Sequence, residues 1–337
     1  MKHLRYMLHC LRVMGPGRMW ATAKAQGRLY NRLALFIFVD MVWCALRYGA
    51  GQTDYKALQF ARMPGWRRAT FVTRGVNNRY IQQLNKREDY YKLADKPTFN
   101  ALFSAYIGRA WLNLKDADAA AFAAFIRQYP VLIVKPTDAL CGNGIEKIVT
   151  SPETDASALY AQLCAKSQFL VEECIIQHPD MAALYPHSVN TIRLKTIRNR
   201  DGVHFVAQIL RTGAGGVVVD NTDAGGLYIY VSDAGTVKTV GVNYRGETFT
   251  HHPDTNAPLT GFTIPFYAEA KALVDRAARV LPGIRYVGWD VAITPAGPAI
   301  IEANHNPAHT GLQNLVFMGE GEPGLKKEID KMIKIKD

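Results

Sequence analysis

Acidic residues are absent from the first 39 positions, and cysteine is scarce throughout. Seven basic residues (Lys2, Arg5, Arg12, Arg18, Lys24, Arg28, Arg32) precede the first carboxylate, Asp40. The five cysteines, Cys10, Cys44, Cys141, Cys164 and Cys174, form no CxxC pair and have no histidine at metal spacing. That excludes a zinc site of the usual pattern and reads as reduced thiols in a cytoplasmic protein. A signal peptide needs an uninterrupted apolar stretch and a small-residue cleavage site, and neither is clear. The apolar run 33–46 contains Asp40, stops at Arg47 and is too short to span a bilayer. There is no fixed-period repeat and no low-complexity tract. Walker A and Rossmann spacings are both missing. The net charge of +11 and pI of about 9.4 favour acidic partners such as nucleotides, phosphorylated substrates or anionic lipid. Basic residues are scattered with no aromatic interleaving, so no nucleic-acid partner is expected.

What is present suits a soluble α+β enzyme of 337 residues, long enough for two or three packed subdomains. Residues 1–90 read as a mostly helical basic region, with helices expected over 33–48 and 79–93. Two readings of this region stand: helices packing on the rest of the protein, or a basic amphipathic surface resting on an anionic membrane at its inner face. The texture changes after residue 90, and two α+β subdomains are expected, 91–175 and 176–337. In the first, helices are expected over 99–112, 116–128 and 155–166, and strands over 131–134, 145–150 and 169–171. In the second, strands are expected over 189–197, 203–211, 226–231 and 237–242, then a helix over 264–281 and a hairpin of 286–294 with 299–303.

The hairpin carries the strongest chemical signal. A three-residue turn, Pro295–Gly297, would pair Thr294 with Pro298 and set Asp290 opposite Glu302. Period-two alternation then adds Asn304 to the same face. Facing carboxylates repel, and a hard cation such as Mg²⁺, which takes oxygen ligands, removes that cost. Lys135 ends a buried strand, where a charge is expensive unless paired, and Lys96 opens a helix after Asp95. Gly142-Asn143-Gly144 follows Lys135 and reads either as a phosphate-approaching loop or as a plain turn. Cys141 beside it reads as a small loop residue. On the strand after Asn190, Thr191, Arg193 and Lys195 share one face. With Arg211 from the next strand they suit a phosphoryl group, whose charge needs donors. Asp220 and Asn221 lie in a loop that either contacts an acceptor or turns. His305 reads as a substrate contact, a base or a structural hydrogen-bonding residue.

Taken in order, these pieces resemble the ATP-grasp superfamily over roughly residues 95–315, and within it the sugar-transfer associated ATP-grasp branch. The resemblance implies two subdomains gripping MgATP, with Lys96 and Lys135 on the phosphates and Cys141-Gly142-Asn143-Gly144-Ile145 closing over them. It implies a hinge strand, Leu170-Val171-Glu172-Glu173-Cys174, whose backbone and acid meet the adenosine. Arg193 would be the catalytic arginine, aided by Lys135 and Arg211. Asp290, Glu302 and Asn304 would be the Mg²⁺ set. Asn190, Thr191, Asp220, Asn221 and His305 are expected near the acceptor. The implied activity is an ADP-forming carboxylate–amine ligase working through an acylphosphate, in a glycan-linked or natural-product pathway. An ATP-grasp kinase and a non-catalytic nucleotide-binding adaptor are the alternatives.

Overall fold

The computed structural model describes residues 15–137, 144–217, 220, 225–319 and 321–334. The expectations for Cys10, Cys141, Gly142, Asn143 and Asn221 lie outside them. The chain divides into two compact units, one of Met1–Leu84, Asn199–Asp201 and Asn306–Asp337, the other of Asn85–Arg198 and Gly202–His305.

The first unit is helical. Pro16–Leu29 begins with proline in its first turn, where the missing N–H costs nothing. Ala34–Tyr48 ends at Gly49, which takes the left-handed conformation (φ 66°) that a residue with a Cβ disfavours. Met19, Ala23, Ile37, Met41 and Cys44 from these helices pack with Tyr55, Leu58, Phe60 and Phe71 in one core. Asp40 is tied down at the edge of this core by Arg68 (2.6 Å) and the Tyr55 hydroxyl (2.6 Å). The expected helix 79–93 is instead Arg74–Leu84, and Asn85 ends it. Asn85 belongs to the second unit, where it pairs with Ile284 in an isolated bridge. Its amide donates to the carbonyls of Tyr286 and His305, which a continuing helix could not allow.

The second unit holds two antiparallel sheets. The smaller is built from β1 (Trp111–Asn113), β2 (Val131–Lys135), β3 (Glu146–Val149) and β4 (Leu170–Glu173), in the order β1-β4-β2-β3. Leu132, Val134 and Val171 face the helices Ala119–Gln128 and Ala156–Ala165 and meet Phe122, Ile126 and Leu163 in a core. The expected helix 99–112 is instead a short helix, Lys96–Leu102, followed by turns and β1. Gly108 gives the reason: its φ is +57°, and a Cβ there would sit 2.9 Å from the Ala299 Cβ.

The larger sheet comprises β5 (Thr191–Asn199), β6 (Gly202–Thr212), β7 (Leu227–Val231), β8 (Val237–Val242), β9 (Thr248–Phe249), β10 (Tyr286–Thr294) and β11 (Gly297–Asn304). Its order is β11-β10-β5-β6-β7-β8-β9. One face carries Ile192, Leu194, Trp289, Val291, Ile300 and Ala303 into a core shared with Ala270, Leu273, Val274 and Ala277 of the helix Tyr267–Ala277. Alternation leaves the other face of β5, β10 and β11 to polar side chains.

The hairpin register differs from the expected one near its turn. Thr294 pairs with Gly297 and Ile293 with Pro298, so only Pro295 and Ala296 form the loop. The ladder then shifts by one between Val291↔Ile300 and Asp290↔Glu302, which leaves Ile301 as the extra residue of a β-bulge. The shorter turn and the bulge cancel, and Asp290 stands opposite Glu302.

Candidate active site

Register lines up the polar row. Arg193 of β5 pairs with Asp290 of β10, which pairs with Glu302 of β11. One step along, Lys195 pairs with Gly288 and Gly288 with Asn304. The buried Asp290 carboxylate is gripped by the Arg193 Nε and, at 2.6 Å, by its Nη2, while Arg211 Nη2 reaches the same carboxylate at 2.9 Å. Arg211 also donates to the Thr191 hydroxyl (3.0 Å) and lies 3.4 Å from Asp220, and Thr191 in turn bonds Asp220. The Asn304 amide donates to Glu302 Oε1 at 3.1 Å.

The three carboxyls of this cluster do not ionise alike. Burial opposes charge on Asp290, but the Arg193 and Arg211 guanidiniums outweigh it and hold the carboxyl well below its ordinary range. Glu302 presents solvent-exposed area, yet protein surrounds it on most sides. That lost solvation, and then the Asp290 charge it hydrogen-bonds, push its pKa up. Burial likewise raises Asp220 despite Arg211. Lys195, deep in the same row, is lowered to about 7 by burial and then by Arg193. Among the described residues no three His, Cys, Asp or Glu side chains form a metal-holding group. Asp290, Glu302 and Asn304 bring two carboxylates and one amide to one patch. Asp290 and Glu302 are in hydrogen-bond contact, with Asp290 kept charged and Glu302 driven toward protonation. A hard ion that needs only one or two carboxylates and fills its remaining positions with water and phosphate oxygens fits that donor set.

A second ion cluster sits in the smaller sheet. Glu172 of β4 is buried and bonded by Lys135 Nζ (2.6 Å), Arg109 Nη2 (2.9 Å) and Asn100 Nδ2 (2.8 Å). Burial works against its charge, but Arg109 and Lys135 overcome it and depress its pKa strongly. Lys96 lies close by through its own N–H, 3.5 Å from the Thr137 carbonyl just past Lys135. Gly144 has φ +72° and its carbonyl accepts from Gln168 (3.1 Å). At the end of β4 the Glu173 N–H bonds the Ala110 carbonyl (2.9 Å), and just past it the Cys174 N–H bonds the Val131 carbonyl (3.0 Å). Burial raises the Cys174 thiol.

Two expected acceptor residues sit apart from the polar row. Asn190 is fully buried, and its Nδ2 donates to the Gln177 side chain (3.0 Å) and to the carbonyls of Met181 (2.6 Å) and Tyr185 (2.8 Å), which braces the approach to β5. His305 stacks on Tyr90, with ring centroids 4.2 Å apart, and burial lowers its pKa.

The residue missed from sequence is Arg109. Its guanidinium bonds Glu172 on one side and the carbonyls of Ile300 (2.9 Å) and Ile301 (3.1 Å) on the other. It therefore satisfies the bulge that sets the register of Glu302 while anchoring the carboxylate that holds Lys135. Gly108 before it is the only local signal, a helix breaker inside an apolar periodic run, and nothing in the spacing links it to residues 172 or 301.

The sequence model of a family described as sugar-transfer associated ATP-grasp matches residues 75–331. A comparison with curated proteins finds no significant match. Solved structures with similar folds include the ATP-grasp ligase PsnB complexed with a minimal precursor (14% identity, covering 77% of this chain and 69% of that one, TM-score 0.43). Another is D-alanyl-alanine synthetase A from Vibrio cholerae (10% identity, 72% and 65% coverage, TM-score 0.43). A third is N5-carboxyaminoimidazole synthase from Aspergillus clavatus in complex with ADP and its ribonucleotide (10% identity, 66% and 46% coverage, TM-score 0.42).

Proposed function

The chain belongs to the sugar-transfer associated ATP-grasp family, and from that premise we propose that it is an ADP-forming ligase that activates a substrate carboxylate for attack by an amine or other nucleophile. The observation that carries this reading is the row Arg193–Asp290–Glu302, two carboxylates in contact and clamped by two arginines. Asp290, Glu302 and Asn304 would hold the ion of MgATP, which would supply a γ-phosphoryl group of partly neutralised charge. The chain's own groups do the rest. Asp290 holds Arg193 and Arg211 in fixed orientation before substrate arrives, so their remaining donors meet developing charge without reorganisation. An ammonium has three donors, and Glu172 takes one from Lys135, steadying the others toward phosphate. Lys96 and the loop through Gly142, Asn143 and Gly144 would cover the phosphates, and the backbone of Glu172 and Cys174 would border the adenine. Thr191, Asp220 and Asn221 are assigned to the acceptor. The smaller sheet and the larger sheet are the two nucleotide-gripping halves in this reading.

The test is ATP turnover with Mg²⁺ over pooled amino acids, small carboxylates and sugar nucleotides, comparing the wild type with Glu302→Gln. Acceptor-dependent ADP and free phosphate, lost in the variant, are expected. ADP formed while phosphate stays on the acceptor would assign a kinase instead. Failure of the wild type to bind nucleotide would remove the ligase reading altogether.

A further inference from the structure

The helix Ala34–Tyr48 turns its buried side, Ile37, Met41 and Cys44, to the core of its unit. At 100° per residue the opposite side carries Leu35, Phe36, Val39, Trp43 and Leu46, which are between 48% and 67% exposed. A solvent-facing helix surface is normally polar. This one is apolar on both sides, and Leu29 and Leu33 at the preceding turn extend the exposed apolar surface. Such contiguous exposure marks an interaction surface.

Charge says what covers it. Arg18, Lys24, Arg28, Arg32 and Arg47 on these two helices and their connecting turn are exposed. The single acid among them, Asp40, is neutralised inward by Arg68. Lys24 holds its ammonium 5.8 Å from the ring of Trp20, an apolar body with a charged tip. A second copy of the chain laid on this face by two-fold symmetry would set cations against cations with no free carboxylate to answer them. An anionic lipid surface answers both features: headgroups for the basic rim, the acyl boundary for the leucines, Phe36 and the interfacial tryptophan Trp43.

We propose that the face of the helices Pro16–Leu29 and Ala34–Tyr48 is a monotopic docking surface for anionic membrane. Their lengths of 14 and 15 residues correspond to roughly 21–23 Å at 1.5 Å per residue, short of the ~30 Å hydrocarbon thickness. The two helices are bent by 119° at their junction, and among the described residues no single helix is long and apolar enough to cross a membrane. The pair lies on the bilayer in this proposal, which is independent of the nucleotide chemistry.

The experiment is co-sedimentation of the full chain with phosphatidylcholine vesicles with and without phosphatidylglycerol, at low and high salt. Binding is expected only with phosphatidylglycerol, weakening as salt rises. Lys24→Ala and Arg28→Ala should each weaken it about five-fold. Leu35→Ser with Val39→Ser should weaken it at least about ten-fold. These positions are exposed, so unfolding midpoints should match the wild type. A variant that fails this check is replaced by quenching of wild-type tryptophan emission with brominated lipid, which is expected to be strong. No partition into anionic vesicles at low salt, or partition indifferent to both kinds of substitution, would overturn the proposal. So would a dimer in sedimentation equilibrium that the Leu35/Val39 substitutions dissociate.

Discussion

Around Glu172 one carboxylate is met by Arg109, Lys135 and Asn100, whereas around Arg193 two guanidiniums face three carboxyls, Asp290, Glu302 and Asp220. Both clusters are buried arginine–carboxylate assemblies on antiparallel strands, and they differ in stoichiometry. The first has donors in excess, so its acid is depressed and every oxygen is satisfied. The second has acids in excess, so only Asp290 is depressed while Glu302 and Asp220 are raised. A saturated cluster holds a fold together. One with surplus carboxyl has affinity left over for a cation or a donor brought in by substrate.

Substitutions can break this contrast. Glu302→Gln should lower turnover about 100-fold or more in a steady-state assay. Its urea midpoint should stay level, because the Gln amide can donate to Asp290 as a protonated Glu302 does. Glu172→Ala should do the reverse in kind and destabilise the unit by about 3–5 kcal/mol in urea unfolding. Combined with Arg109→Ala, it should show a coupling of roughly 0.5–3 kcal/mol, since both strip the same bond.

Acid titration sharpens the comparison. Glu172 has a depressed folded pKa. Its stabilisation is therefore complete above the unfolded value of about 4.3 and is lost as pH falls through the folded value. The stability gap between wild type and Glu172→Gln should stay constant from neutral pH down to about 4.3 and close only below it. The smallest effect is expected at the tail of β11, where Tyr90→Ala should cost about 1 kcal/mol by removing the stack on His305.

Sequence made the larger sheet readable because its cues are local. Alternation along 191–197 and 286–294 fixed which side chains share a face, and the strand 237–242 and the β10 limits match the structure residue for residue. The facing of Asp290 and Glu302 was reached with the wrong turn, and the bulge at Ile301 repaired the count. What stayed hidden depends on distant partners. Nothing between residues 79 and 112 announces that Asn85 will hydrogen-bond to Tyr286, that Gly108 will lie against Ala299, or that Arg109 will bond Glu172 and the bulge carbonyls. The partners of the Asn190 amide stayed hidden for a similar reason, since Met181 belongs to the six-residue helix Pro179–Leu184 and Tyr185 ends it, an element too short to show a period.

The bulge at Ile301 acts as a parity switch. Counted from the turn, Ala299 lies on the polar face and Ile300 on the core face; beyond the extra residue, Glu302 and Asn304 return to the polar face. With a two-residue loop, a regular ladder that kept Ile301 in step would turn Glu302 inward and Ala303 outward, whereas deleting Ile301 would leave Glu302 next after Ile300 and still opposite Asp290. Taking Gly297 into the loop and closing the bulge would keep the same phase at unchanged chain length. At this chain length the bulge is what keeps an acid opposite Asp290 when the loop has two residues, and a homologous chain can place the extra residue in loop or strand without altering the chemistry.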